Sequence, residues 1–143
     1  IKVVKDFAQM PRIHCDDRQM KQVFYNLFQN ALQAMAAGGT LTIRTYPVEK
    51  PDGLYEAVAI SDTGGGIPME VLHNIFNPFF STKDYGTGLG LAIVFNILQR
   101  HNAEILVESE EGKGTAFIIT FPASEVEAGR TAPGTAEISK TSF

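Results

Sequence analysis

The run Gly86-Thr87-Gly88-Leu89-Gly90 opens straight into a helical apolar stripe through Leu91, Ile93, Val94, Ile97 and Leu98, ending near His101-Asn102. Alternating glycines leave the backbone free to turn tightly, and the helix that follows presents the positive end of its dipole to that turn. Backbone N–H groups converging there form an anion cradle, for which phosphate is the natural occupant. The fold must therefore hold a flexible loop against a helix N-terminus. A phosphate cradle alone is weak information, so the rest of the chain has to say what else is bound.

Upstream, Ile1 to Phe7 and Arg12 to Cys15 are short β-prone runs broken at Pro11. From Asp16 or Asp17, either of which can cap, Met20, Val23, Phe24, Leu27, Ala31 and Ala34 recur at helical spacing until Gly38-Gly39. Thr40 to Tyr46 and Tyr55 to Ser61 read as a hairpin joined by a turn at Pro47 to Gly53. Pro68 suits the first turn of a short helix running to Ile75. Two more strands, Glu104 to Glu108 and Thr115 to Phe121, are linked by Gly112-Lys113-Gly114. Hairpins where a doubly wound sheet would need crossovers predict an α+β chain, a two-layer sandwich of a mixed sheet packed on helices. Residues 123–143 carry almost no large apolar side chains and are expected to be a disordered tail after one domain at 1–122.

Composition closes off several functions. With 44% hydrophobic residues, 20% charged and a formal net charge of -4, the chain offers no basic field for nucleic acid. The single cysteine, Cys15, cannot form an intrachain disulfide and is expected to be a small core residue, which suits a reducing compartment. No apolar run is long enough to span a bilayer and the N-terminus is not built like a signal peptide, so the piece itself is expected outside the membrane whatever its parent does. His14, His73 and His101 fit no metal pattern and are read as structural, with His101 placed at a helix C-terminus where a cationic ring is favourable.

Three further features carry chemistry. Asn26 and Asn30 lie one turn apart on a single helix face, where a carboxamide oxygen suits Mg²⁺ and an NH₂ group can donate to phosphate; two solvent-facing or packing asparagines are the plainer alternative. Asp62 ends a strand before Thr63-Gly64-Gly65-Gly66-Ile67, so its carboxylate can accept from an exocyclic amine such as adenine N6. Between the glycine loops, Asn77 to Tyr85 looks like a lid with Lys83 able to reach a terminal phosphate and with Phe79 and Phe80 packed on the core.

In order, these segments resemble the four boxes of the GHKL ATPases, which include gyrase, the large heat-shock chaperone, MutL and the histidine kinases. QVFYNLFQNALQAM at 22–35 resembles the N box, DTGGGI at 62–67 the G1 box, FNPFF at 76–80 the F box and GTGLGLAI at 86–93 the G2 box of the histidine-kinase branch. The lid ending in Ser81-Thr82-Lys83 resembles that of nitrogen-regulation-type sensor kinases. The resemblance implies a Bergerat-type ATP-binding fold, with ATP and Mg²⁺ as cofactors. Asn30 would ligate Mg²⁺, Asn26 would support the metal or phosphates, and Asp62 would hold the adenine amine with Gly64, Gly66 and Ile67 around the base. Lys83 and the segment Gly86, Thr87, Gly88, Leu89, Gly90 and Leu91 would hold the phosphates, and Thr115 would approach the adenine through water.

The activity implied is transfer of the γ-phosphate to a histidine on a separate dimerisation domain of the same parent, upstream of a response regulator. An ATP-regulated binding module and an anti-sigma-type serine kinase share the fold as alternatives. Asn26 stands where hydrolytic relatives place a glutamate base, which implies slow intrinsic hydrolysis. No histidine here precedes an acidic residue on a helix, so the phosphoacceptor is expected elsewhere, in a cytoplasmic parent assembly, and this piece is expected to be monomeric. Gln33, where many relatives are basic, and His101-Asn102-Ala103, in place of His-Gly-Gly, are the visible departures.

Overall fold

A computed structural model describes residues 1–9, 12–80 and 89–123, together with the backbone of 136–139. Its elements are β1 (Lys2–Phe7), α1 (Asp17–Ala34), β2 (Thr40–Lys50), β3 (Gly53–Asp62), α2 (Met69–Leu72), α3 (Gly90–Arg100), β4 (Glu104–Glu110), β5 (Gly114–Pro122) and β6 (Ala136–Ser139). The strands form one mixed sheet in the order β1-β2-β3-β5-β4-β6, with the outer pairs parallel and the inner pairs antiparallel.

Asp16 caps α1, accepting from the N–H of Gln19 at 3.1 Å, and the helix buries Met20, Val23, Leu27 and Ala31. Val94, Ile97 and Leu98 of α3 join them in one core with the inward residues of the sheet, Leu41, Ile60, Ile105, Val107, Phe117, Ile119 and Phe121. Helices on one face of a mixed sheet are the expected two-layer sandwich.

Several expectations need correction. Arg12 to Cys15 is not a strand: among the described residues β1 pairs only with β2, and the segment past Pro11 runs without a ladder, anchored by Ile13 against the core. Cys15 is exposed rather than a core residue. Strand β2 continues through Pro47 to Lys50, so the hairpin closes around Pro51-Asp52. Proline is tolerated there because Thr45 O accepts from Ala8 N–H, which puts residue 47 on the same outward side, where β1 has already ended. Helix α2 stops at Leu72, and turns carry the chain past Ile75. Strand β6 pairs with Ile105 to Glu108 inside the segment expected as a tail.

Two local features make measurable predictions. Asn102 takes the left-handed conformation (φ 55°) that ends α3, with Ala103 N–H donating to Leu98 O at 2.9 Å. Asparagine bears this φ better than other non-glycine residues, which explains how it replaces the usual glycine. Asn102→Ala should cost about 1 kcal/mol in urea unfolding, while Asn102→Gly should cost nothing. At Cys15, partial burial first, then the carboxylates of Asp17 and Asp16, push the thiol pKa upward. Iodoacetamide should therefore label it more slowly in the folded domain than in the urea-unfolded chain at the same mildly alkaline pH, since the thiolate is the nucleophile.

His101, at the end of α3, makes two hydrogen bonds through its ring. Its Nδ1 lies 2.8 Å from Ile97 O, a contact that requires the proton on Nδ1, and its Nε2 accepts from the N–H of Asp16 at 3.0 Å. The ring thus ties the end of α3 to the start of α1.

Candidate functional site

Asn26, Asn30 and Ala34 follow one another at four-residue spacing along one stripe of α1. At one end, Asn26 Nδ2 donates to Gly90 O at 3.3 Å, joining α1 to the first residue of α3. At the other, a Cβ on Gly64 would lie 2.5 Å from the carbonyl oxygen of Ala34, so the loop after β3 rests on the same stripe. Asn30 lies between them, half-buried, about 6 Å of helix from each. Gln33 is off the stripe and exposed.

Across the sheet, Leu41, Asp62, Thr115 and Ser109 are register partners on β2, β3, β5 and β4, forming a row at one end of the helix-covered face. Asp62 is only 6% exposed, and its Oδ1 accepts from Gly64 N–H at 2.9 Å, a turn typical of an aspartate before glycines. Gly66 has φ 75°, and a side chain there would run into the Glu110 carbonyl at the β4–β5 turn. Gly112 N–H closes the contact from the other side, donating to Gly65 O at 2.8 Å.

The residue that sequence reasoning missed is Ser109. Buried at 4% exposure, its Oγ accepts from Ile67 N–H at 2.7 Å, approaches Thr115 Oγ1 at 2.9 Å and donates to Gly114 O at 3.1 Å. The alternation Ile105, Val107, Ser109 carried the signal, because the period of two places the serine on the inward face opposite Thr115.

Leu89 is the N-cap residue of α3, and Gly90 and Leu91 begin its first turn; among the described residues no side chain caps this end. Lys83, Gly86, Thr87 and Gly88, with the rest of the segment 81–88, lie outside the described residues. The two phenylalanines before that segment part company: Phe80 packs against the core, whereas Phe79 adopts φ 67° and is 77% exposed. Core packing therefore accounts for Phe80 only, with Phe76 filling the neighbouring space against the Phe95 ring at 5.6 Å.

Residues 15–125 match the family described as histidine kinase-, DNA gyrase B-, and HSP90-like ATPase. The chain belongs to that family. Within it, the relatives are sensor kinases: the chain is 43% identical to sporulation kinase C of Bacillus subtilis over 124 residues, 85% of this chain and 28% of that protein. It is 39% identical to the sensor histidine kinase ZraS of Escherichia coli over 113 residues, 79% of this chain and 23% of that protein. The chain thus spans less than a third of the length of these relatives. Among solved structures, the catalytic domain of histidine kinase ThkA superposes with a TM-score of 0.71 at 33% identity, covering 85% of this chain and 78% of that one. The mycobacterial sensor histidine kinase MprB gives 0.72 at 27% identity, covering 84% and 83%. The domain is therefore of the histidine-kinase catalytic type, and no helix among its described residues is long and apolar enough to cross a membrane.

Proposed function

We propose that this histidine-kinase domain, residues 1–122, binds ATP with Mg²⁺ along the α1 stripe and donates the γ-phosphate to a histidine on a separate dimerisation domain of the same parent, which in turn serves a response regulator. The observation that carries the reading is the single stripe of α1 that touches the start of α3 through Asn26 and the Asp62 loop through Ala34. A nucleotide laid along it would have its base at Asp62 and its phosphates at α3. A purine triphosphate is long enough to reach both ends.

The donor set suits the metal. Mg²⁺ is commonly held by one or two protein oxygens plus substrate phosphates, and the carboxamide of Asn30, midway along the stripe, fits that pattern. When bound, Mg²⁺ supplies neutralisation of phosphate charge. The remaining work falls to the protein: the first-turn amides of α3 from Leu89 to Leu91 and Lys83 orient the phosphates, Asp62 accepts from the adenine amine, and Gly64, Gly66 and Ile67 shape the base pocket. Asn26 is an amide and cannot take a proton from water, so the phosphoryl group is held for a partner rather than for hydrolysis. The parent's phosphoacceptor domain and this domain meet in the cytoplasm.

Calorimetric titration of the domain with ATP, in Mg²⁺ and in EDTA, tests binding; adding a purified histidine-bearing domain with labelled ATP tests transfer. Tight Mg²⁺-dependent binding, slow hydrolysis and label on the added histidine are expected. Binding without labelling would leave an ATP-regulated module, and no binding would remove the reading altogether.

A further inference from the structure

We infer that Ser109 is a positioning residue that fixes the polarity of the Thr115 hydroxyl and so helps the base pocket choose adenine over guanine, an inference that rests on the ATP reading above. A serine hydroxyl has one proton and two acceptor lone pairs. Ile67 N–H, a donor only, occupies one lone pair of Ser109 Oγ at 2.7 Å. Gly114 O, an acceptor only, requires the Ser109 proton at 3.1 Å. The contact to Thr115 Oγ1 at 2.9 Å can then be made only if Thr115 donates its own proton into the remaining lone pair.

All three bonds together leave Thr115 Oγ1 with lone pairs and no proton to offer. Thr115 is the direct register partner of Asp62, whose side chain lies on the same face of the sheet. Both groups at this end of the pocket are therefore acceptors. An acceptor pair welcomes the exocyclic amine of adenine, directly or through a water that donates, and opposes the carbonyl that guanine carries at the same position. Ser109 and Thr115 are 4% and 3% exposed, so little solvent is available to reorient either hydroxyl in the protein's place.

Removing the serine hydroxyl frees the Thr115 proton, which can then point at a carbonyl. Ser109→Ala should lower the ATP-over-GTP affinity ratio by roughly 2- to 12-fold, the span that one hydrogen bond to a fixed partner commands. Ser109→Thr, which keeps the hydroxyl, should restore the ratio. Thr115→Val should lower it similarly, and the double variant Ser109→Ala/Thr115→Val should lower it no further than either alone, because the two act as one unit.

The measurement is competitive titration of ATP and GTP into wild type and each variant of the folded domain, with thermal unfolding recorded alongside. A wild-type ratio retained in Ser109→Ala, or single losses that simply add in the double variant, overturns the inference. Failure of the wild-type domain to bind ATP at all is a different outcome: it removes the nucleotide reading itself. A general weakening of both nucleotides in Ser109→Ala with the ratio intact marks a merely structural serine and also overturns the inference.

Discussion

Asn30→Ala is expected to abolish the Mg²⁺-dependent part of ATP binding, a loss of at least about 100-fold, since even groups that only support a metal ligand commonly contribute 10- to 100-fold to metal affinity. The side chain is half-buried on the stripe between Asn26 and Ala34, where a carboxamide oxygen is the natural hard ligand. Calorimetry in Mg²⁺ and in EDTA separates the metal increment from everything else: the variant in Mg²⁺ should match the wild type in EDTA. Thermal unfolding should move little, because Asn30 lies outside the buried stripe of Met20, Val23, Leu27 and Ala31. A full metal increment in Asn30→Ala would remove this residue from the site.

The second large effect is at the opposite end. Asp62→Ala should reduce ATP affinity about 10- to 150-fold, the equivalent of roughly 1.5–3 kcal/mol for a hydrogen bond to a charged group, and should bring ATP and GTP close to parity. Part of that loss is indirect, because Oδ1 also accepts from Gly64 N–H and so fixes the loop. Asp62→Asn keeps an oxygen that can serve Gly64 while weakening the acceptor toward an amine, so it should lose selectivity with a smaller loss of affinity. If Asp62→Ala still prefers ATP as strongly as the wild type, the base lies elsewhere.

How far these residues could be read from the chain depends on how local their causes are. Asn26 and Asn30 announce a common face through helical spacing alone, and the glycines after Asp62 announce a turn through their lack of side chains. Ser109 announced nothing as a residue type; its role comes from Ile67 and Thr115, 42 positions upstream and six downstream, which only the folded sheet brings to its hydroxyl. Pro47 misled for a similar reason. Proline ordinarily ends a strand, yet here the neighbouring strand has stopped first and no hydrogen bond is lost. Arg12 to Cys15 had the composition of a strand but, among the described residues, no neighbour to pair with, and strand formation is a property of pairs. His101 looked like an ordinary helix-end residue, and its bond to the N–H of Asp16, 85 positions away, is visible only in the fold.

Because Asn26 and Ala34 meet different segments from one side of α1, the helix behaves as a gauge whose length matters more than most of its lettering. Inserting or deleting one residue between them would turn everything beyond by about 100° and swing Ala34 away from Gly64, with the helix itself intact. A change in the residue count of that stretch would part the two ends of the cleft at a stroke, even with every side chain kept.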